Sequence, residues 1–350
     1  MTEQDHRDHY GLTSRERLVL QHIIRQYIST ANPVGSRTVS KQVELNLSPA
    51  SIRNIMSDLE DKGLIGHPHT SAGRIPTDTG YRCYVDSIMQ QESLSAVEID
   101  MIEARLDESR GSVEDIIRES SRLLSQISHQ LAIVSAPDVG SGRLEHIELL
   151  SVSSTRIMAV LSISSGFVKT IVMEIAAEVP RHTLQQLASL LNERLGGLTL
   201  RQIRETFTDR IRDSHIGEPS LIELFVQWSD RVFSDSLNDT RLYIEGVGLI
   251  SQQPEFGDAE RLRNIIELVE NRNIIVHVLD SCTDDTALTI RIGRELEDEK
   301  LRDYSIVAAP YRVGQVGGTI SVVGPRRMDY PRMISAVDVI ARCISTSYQE

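Results

Sequence analysis

The chain has 350 residues, of which 40% are hydrophobic and 25% charged, and its formal net charge is −13. This length exceeds one typical domain, so we expect two or three domains of ordinary globular composition. The net charge excludes a protein that coats nucleic acids without sequence preference. The sequence has no run of 18 apolar residues and no apolar signal segment. We therefore expect a cytoplasmic protein without membrane contact.

The charge is distributed unevenly along the chain. Residues 33–84 contain six Lys or Arg residues and five Asp or Glu residues, so this segment has a formal charge near +1. The acidic excess lies outside it. A nucleic-acid-binding surface should therefore lie near the N-terminus.

Two helices are predicted before residue 44. The first begins at Thr13, which can form a capping box with Glu16, and it ends near Ser29. The turn ANPVG follows, and its Pro and Gly are helix-stop signals. The second helix is expected to start with Ser36 as its N-cap and to continue to about Val43.

A third helix is predicted in the segment SPASIRNIMSDLEDKG, residues 48–63. Ser48 provides the N-cap, Pro49 occupies the first turn, and Gly63 ends the helix. Its apolar face contains Ile52, Ile55, Met56 and Leu59. The opposite face carries small or planar polar side chains rather than the Glu and Lys of most exposed helices. This composition favours a surface that contacts a partner.

A β-hairpin is predicted next, with strands at 64–65 and 74–75, followed by a helix that reaches residue 88. The order helix, helix, helix, hairpin, helix over residues 12–88 is that of a winged helix-turn-helix domain, expected at 1–90. In this motif the third helix enters the major groove of DNA. The hairpin follows the backbone or the minor groove.

The polar residues of this predicted domain are candidate DNA contacts. Arg pairs with guanine and Asn with adenine through two hydrogen bonds, while hydroxyls and cations contact phosphates. The candidates for base contacts lie on the third helix and are Ser48, Ser51, Arg53, Asn54 and Ser57. The candidates for phosphate contacts lie on the second helix and are Ser36, Arg37, Thr38 and Lys41. The hairpin and the helix after it contribute His69, Thr70, Ser71, Arg74 and Arg82.

Each of these assignments has a structural alternative. The third helix would otherwise present a solvated surface on which Ser48 only caps the helix. The residues of the second helix would be a surface cap with two exposed cations. A plain β-turn would have a composition similar to that of the hairpin tip.

The middle of the chain changes from helical to β-rich patterns and back. Two amphipathic helices are predicted over residues 95–131, and the apolar stripe of the second extends to Leu131. The segments LEHIELLSV, TRIMAVLSI and FVKTIVMEI then form an antiparallel meander. Helical patterns occupy residues 180–235.

Strand patterns resume in the last third of the chain, with a helix at RLRNIIELVENR and a final helix from about Pro331 to Ser347. The predicted strands are 241–247, 274–280, 287–293, 304–313 and 318–325. We expect a mixed sheet with flanking helices, into which the meander and its helices are inserted. The fold class is therefore α+β with several domains.

No motif in the sequence identifies a catalytic, cofactor or metal site. GVG (246–248) and RVGQVGG (312–318) lack the following helix and the G-K-[ST] of a phosphate loop, so we interpret both as turns. DSCTDD (280–285) lacks the Gly and Glu of a calcium loop. The histidines of HPH have no partner at ligand spacing. The cysteines match no metal spacing and are expected to be free thiols: Cys83, Cys282 and Cys343.

Six sequence blocks, spread over nearly the whole chain, carry a family resemblance. They are GSRTVSK (35–41), SPASIRNIMSDLEDKG (48–63), HPHTSAGRIPTDTGYRCYVD (67–86), LLNERLGGLTL (190–200), QPEF (253–256) and APYRVGQVGGTISVVGPRRMDYPR (309–332). Together and in this order, they resemble the heat-inducible transcription repressor family, HrcA.

The resemblance implies three domains. They are a winged-helix DNA-binding domain at 1–90, a GAF-like α/β domain at 91–143 and 241–350, and an inserted dimerisation domain at 144–240 with a three-stranded antiparallel sheet plus helices. It also implies a homodimer that binds double-stranded DNA at an inverted-repeat operator upstream of chaperonin (heat-shock) operons. Such a protein would associate with the nucleoid when bound. The chaperonin GroE would help to maintain its activity, and no cofactor is implied.

Two other functions are weighed against a dimeric repressor. A small-molecule sensor would share the DNA-binding module and use the GAF-like domain for an effector. An enzyme would place its chemistry on the C-terminal sheet. The sequence offers no convergent acid, base or nucleophile motif for that chemistry, so we expect no enzymatic activity.

Overall fold

The described part of the protein has an α+β fold with three β-sheets. The computed structural model describes residues 10–41, 47–68, 73–109, 111–164, 166–175, 178–211, 219–233, 242–257, 259–271, 274–276, 279 and 287–347. Of the residues predicted to contact DNA, His69, Thr70 and Ser71 lie outside these ranges, as does the segment DSCTDD.

The N-terminal unit, residues 10–88, has the predicted order of helices and strands. It contains α1 (Ser14–Thr30), α2 (Ser36–Ser40), α3 (Pro49–Asp61), β1 (Ile65–Gly66), β2 (Ile75–Pro76) and α4 (Asp78–Cys83), and it ends in a π-helical turn at Tyr84–Ile88. β1 and β2 pair antiparallel, which confirms the hairpin.

The predicted caps of α1 and α3 are confirmed. The Thr13 hydroxyl accepts the Glu16 N–H at 3.2 Å, and the Glu16 carboxylate accepts the Thr13 N–H at 2.8 Å. Ser48 caps α3, with Pro49 in its first turn.

The predicted N-cap of α2 is wrong by one residue. Gly35 is the N-cap, because its extended backbone presents its carbonyl to the amides of Thr38 and Val39, and Ser36 is the first helical residue. The helix ends at Ser40, before the predicted end at residue 43, which lies outside the described residues.

The sheet unit comprises the described residues of 94–135 and 242–347. Its strands are β3 (Leu131–Ser135), β7 (Leu242–Glu245), β8 (Thr289–Ile292), β9 (Tyr304–Val313) and β10 (Val316–Pro325), in the spatial order β7-β3-β10-β9-β8. Every neighbouring pair is antiparallel, so the prediction of a mixed sheet is wrong. Its helices are α5 (Ala96–Glu108), α6 (Val113–Ser128), α10 (Val247–Ile250), α11 (Ala259–Glu270) and α12 (Tyr330–Thr346).

Three further predictions in the sheet unit are corrected. Leu131 opens β3 instead of ending a helix, because His129 adopts a left-handed conformation that stops α6. Residues 274–276 are helical rather than part of a strand. The short helix α10 begins inside GVG, with Gly246 as its N-cap, so GVG is not a plain turn. RVGQVGG forms the predicted turn between β9 and β10.

The insert, the described residues of 144–232, contains the predicted meander and helices. β4 (Leu144–Ser153), β5 (Arg156–Ile163) and β6 (Phe167–Glu174) form an antiparallel sheet in chain order. The helices α7 (Arg181–Leu195), α8 (Leu200–Ile211) and α9 (Pro219–Val232) follow. β3 and β7 are sheet neighbours although residues 136–241 separate them, so the chain leaves the sheet unit and returns to it.

The buried apolar side chains that the structure describes form three clusters. One is continuous from the N-terminal unit through α5, α6 and α12 to one face of the five-stranded sheet. A second lies on the other face of that sheet under α11, and the third belongs to the insert. The continuous cluster means that the N-terminal unit is packed against the sheet unit.

Cys83 is buried and Cys343 partly buried, and neither forms a disulfide among the described residues, while Cys282 lies outside them. Within the described ranges, no helix has the length and apolarity needed to cross a membrane.

Candidate nucleic-acid interface

α3 separates an apolar face from an exposed polar face. Ile52 and Leu59 are fully buried, since residues at this spacing share one side of a helix. On the opposite side, Arg53, Asn54 and Ser57 are exposed. The three central candidates for base contacts therefore project from the same surface of the helix.

Ser48 and Ser51 take part in capping α3. The Ser48 hydroxyl oxygen accepts the Ser51 N–H at 3.1 Å and lies 2.9 Å from the Ser51 hydroxyl oxygen. Ser48 is exposed and Ser51 partly buried. These hydroxyls therefore cap the helix, which is the role that the structural alternative gave to Ser48. A DNA contact by either hydroxyl would compete with the cap.

α2 packs against α3 and presents further cations. Arg37, Thr38 and Lys41 are exposed and Ser36 is partly buried, while Val39 anchors the helix in the core.

Arg37, Lys41 and Arg53 make no ion pair with any carboxylate among the described residues. The surface formed by α2 and α3 thus carries three exposed cations whose charge no described acidic group neutralises, which suits a polyanionic partner.

The remaining lysine and arginines of residues 33–84 are paired with acidic groups. Lys62 forms an ion pair with Glu16 at 2.7 Å. The Arg74 guanidinium lies 2.8 Å from the Glu60 carboxylate and 2.9 Å from a ring nitrogen of His67. Arg74 therefore ties the hairpin to α3, and its predicted DNA contact would have to compete with these bonds.

Arg82 also has partners within the protein. Its guanidinium forms a bidentate ion pair with Glu295 and donates to the Ile290 carbonyl at 2.7 Å, both in the sheet unit. The hydrogen bond with Glu295 raises the pKa of Arg82. The predicted DNA contact of Arg82 would have to compete with these bonds.

The hairpin is fixed beside α2 by backbone contacts that sequence reasoning missed. Val34 and Arg74 exchange N–H···O bonds of 2.8 and 2.9 Å. A Cβ at Gly73 would lie 2.6 Å from the Pro33 Cβ, so only glycine permits this approach. In the sequence, the glycine at the end of HTSAG is the one sign of this close approach. The result is that α2, α3 and the hairpin base form one surface.

The comparisons with known proteins agree on one family. A sequence profile of the HrcA protein C terminal domain matches residues 114–334. The heat-inducible transcription repressor HrcA of Chlorobium phaeobacteroides is 40% identical over 348 residues, which cover 97% of this chain and 99% of that protein. The chain belongs to the HrcA family. The HrcA protein of Prosthecochloris aestuarii is 39% identical over 349 residues, covering 97% and 98% of the two chains.

Membership of the HrcA family decides the broad function. The chain is a heat-inducible transcription repressor and not an enzyme, which confirms the expectation of no enzymatic activity.

A solved structure, described as that of a hypothetical protein, covers 97% of this HrcA chain and 99% of its own, with a TM-score of 0.60 and 21% identity. This likeness shows a common fold over the length of both chains.

Proposed function

We propose that this repressor binds an inverted-repeat operator upstream of chaperonin operons as a homodimer, with residues 1–90 as a winged-helix DNA-binding domain. The observation that carries this proposal is the contrast among the cations of residues 33–84. Arg37, Lys41 and Arg53 are exposed on one surface without a described acidic partner, while the other three are neutralised. Unneutralised cations favour binding to DNA phosphates.

The geometry suggests a division of labour on this surface. Arg53 and Asn54 are exposed near the N-terminal end of α3, where side chains of a recognition helix reach base edges. Arg37 and Lys41 on α2 are placed to contact phosphates, which positions the protein without reading sequence. Ser57 lies one turn after Arg53 and extends the same face.

Dimerisation is assigned to residues 144–240. One face of the β4-β5-β6 sheet packs in the core of the insert, while the other exposes Val152, Val168 and Val172, at 54%, 61% and 48% of their surface. Isolated exposed valines are ordinary, but three on one small sheet form an apolar patch that favours a partner surface. This observation favours the meander over the helices as the dimer surface.

The GAF-like domain, residues 91–143 and 241–350, is proposed as the body that carries both other domains. Its strands β3 and β7 pair only after the chain has passed through the insert. Pairing across such a sequence separation is slow to form and leaves apolar surface exposed meanwhile. This supports a repressor whose activity the chaperonin GroE maintains and which is lost when heat-damaged proteins occupy the chaperonin. Such a protein would be cytoplasmic and bound to the nucleoid while repressing.

Fluorescence anisotropy at near-physiological salt tests the proposal. One labelled duplex carries the inverted repeat from upstream of a chaperonin operon of the same genome, and the other carries a scrambled repeat. We expect at least about 10³-fold tighter binding to the repeat, the lower limit for site-specific proteins.

Equal, weak binding to both duplexes has two explanations, which GroE added to the same cuvette separates. If binding to the repeat recovers with GroE, the chaperonin part of the proposal is supported. If it does not recover in the presence of GroE and ATP, the operator proposal is wrong. Full, stable operator affinity through heating and cooling without GroE would contradict the chaperonin part alone.

A further inference from the structure

The N-terminal unit and the sheet unit are joined by three arginines. Two of them, Arg82 and Arg326, pair with a carboxylate across the boundary, and the third, Arg327, donates to a backbone carbonyl across it. The first is Arg82 on α4, which bonds to Glu295 and to the Ile290 carbonyl of the sheet unit. Glu295 also accepts the Ile292 N–H at 2.9 Å, so its carboxylate is fixed from both sides. Charge-assisted bonds of this bidentate kind are directional.

The second arginine, Arg327, connects two sequence blocks for which DNA binding gives no role. It forms a bidentate ion pair with Glu255 of QPEF, with one N···O distance of 3.0 Å. Its third donor reaches the Ile28 carbonyl near the C-terminal end of α1. The side chains of Arg327 and Glu255 are only 14% and 20% exposed, so solvent screens this pair weakly. The hydrogen bond with Glu255 raises the pKa of Arg327.

The third arginine, Arg326, contacts α4 at its first residue. It donates to Asp78 at 2.7 Å and to Asp303 at 3.0 Å. Asp78 in turn accepts the backbone N–H of Arg294 at 3.2 Å. A Cβ at Gly293 would lie 2.5 Å from the Asp78 carboxylate, and the φ angle of this glycine is +54°. Both features require glycine at 293 for Asp78 to reach the sheet unit.

These bonds surround an aromatic contact between the two units. The rings of Tyr81 and Tyr330 are buried with their centroids 5.8 Å apart. The Tyr330 hydroxyl donates to the Arg326 carbonyl at 2.7 Å, which links the ring to the ion pairs. Apolar contact holds two bodies together without fixing their angle, because it is not directional. The surrounding ion pairs are directional, so they fix the angle between the two units.

We propose that three ion pairs form a latch that fixes the orientation of the DNA-binding unit and thereby sets which half-site spacing the dimer accepts. The latch consists of Arg82, Arg326 and Arg327 with Glu295, Asp78 and Glu255. This inference rests on the proposed function. One base pair of spacer moves a half-site by about 3.4 Å and turns it by about 34°. Two rigidly held recognition helices can match only one such arrangement. Loosely held helices can match several.

The test uses the full chain and two ways of opening the latch. The variant Asp78→Asn/Glu255→Gln removes the carboxylates that face Arg326 and Arg327. Gly293→Ala keeps every charge and displaces Asp78. The matched control, Glu267→Gln/Asp338→Asn, removes the carboxylates of two exposed ion pairs in the sheet unit, Lys300–Glu267 and Arg342–Asp338.

Two measurements are made on each protein. Anisotropy titrations use the inverted repeat with its natural spacer, with one or two base pairs added or removed, a single half-site, and a scrambled duplex. Hydrogen–deuterium exchange follows residues 78–88 and 289–296 at the boundary, with residues 144–174 of the insert as the internal reference. The reference also shows whether a variant has unfolded as a whole.

We expect the wild type and the control to lose at least about tenfold in affinity when the spacer changes by two base pairs. In both latch variants the loss should shrink to within about threefold, with unchanged affinity for the single half-site. Exchange at the boundary should be at least about tenfold faster than in the wild type, with no change in the insert.

Three outcomes would overturn the proposal. Unchanged exchange at the boundary would show that the ion pairs do not hold the units together. Faster exchange with an unchanged spacer dependence would show that spacing is set elsewhere. A wild type that binds the repeat no better than scrambled DNA would refute the proposed function and, with it, the role of the latch in setting the half-site spacing. In that case the exchange data still decide whether the latch exists.

Discussion

Replacing Arg53 with alanine should separate DNA recognition from stability. The side chain is exposed on α3 and makes no hydrogen bond or ion pair among the described residues. Surface substitutions of this kind change the free energy of unfolding by no more than about 0.5 kcal/mol. The thermal midpoint of Arg53→Ala should therefore match that of the wild type.

The expected effect on operator binding is much larger. One bidentate arginine–guanine contact contributes about 1–3 kcal/mol of discrimination. A homodimer makes the contact twice, so Arg53→Ala should lose about 2–6 kcal/mol. This corresponds to a loss of about 30-fold to about 2 × 10⁴-fold in affinity for the repeat. Affinity for scrambled DNA should fall only by the small contribution of one exposed cation per protomer.

Two further variants sharpen the assay. Arg53→Lys keeps the charge but not the planar pair of donors, so it should retain scrambled-DNA binding and still lose specificity. Arg194→Ala removes an exposed arginine from the insert and should change neither affinity. The reasoning is refuted if Arg53→Ala weakens both duplexes equally, since Arg53 would then contact phosphate, or if it weakens neither.

The remaining predictions concern phosphate contact, core packing and pH. Arg37→Ala should weaken operator and scrambled DNA equally and reduce the slope of log K against log salt by about 1.8 for two contacts per dimer; an effect on the operator alone would contradict it. Leu59 is fully buried, so Leu59→Ala should destabilise the protein by about 2–5 kcal/mol in urea denaturation, and a loss below about 1 kcal/mol would show that α3 is loosely packed. Hydrogen bonds from Ser95 and Arg332 lower the pKa of Glu98 from 4.5 to about 2. The stabilisation by this carboxylate is therefore complete above pH 4.5 and disappears toward pH 2. The difference in Tm between the wild type and Glu98→Gln should accordingly shrink to zero as the pH falls through that range. A difference that stays constant would contradict a lowered pKa for Glu98.

Local patterns in the sequence predicted much of the N-terminal unit and of the insert. The capping box of Thr13 and Glu16 and the cap of α3 by Ser48 involve groups three residues apart, so they are visible in a short window. The strands β4, β5 and β6 pair with their neighbours in the chain through short turns, which makes the meander equally local. The exposed face of α3 follows from helical periodicity alone.

Tertiary structure decided the features that depend on distant partners. β3 was missed because its residues LAIVS follow a helical stripe, and only pairing with β7 and β10 makes them a central strand. The ion pair of Arg82 could not be predicted because a cation beside a hairpin has no local sign of its partner, and Glu295 lies 213 residues away in the sequence.

The same limit explains which cations remain for DNA. The sequence shows six basic residues in 33–84, but it does not show which of them are neutralised, because ion pairs join side chains from separate elements. Packing places Glu16 beside Lys62, Glu60 beside Arg74 and Glu295 beside Arg82. The sequence by itself determined the helix that faces outward, and only the tertiary structure determined the charges left on that surface, since charge neutralisation depends on distance in space.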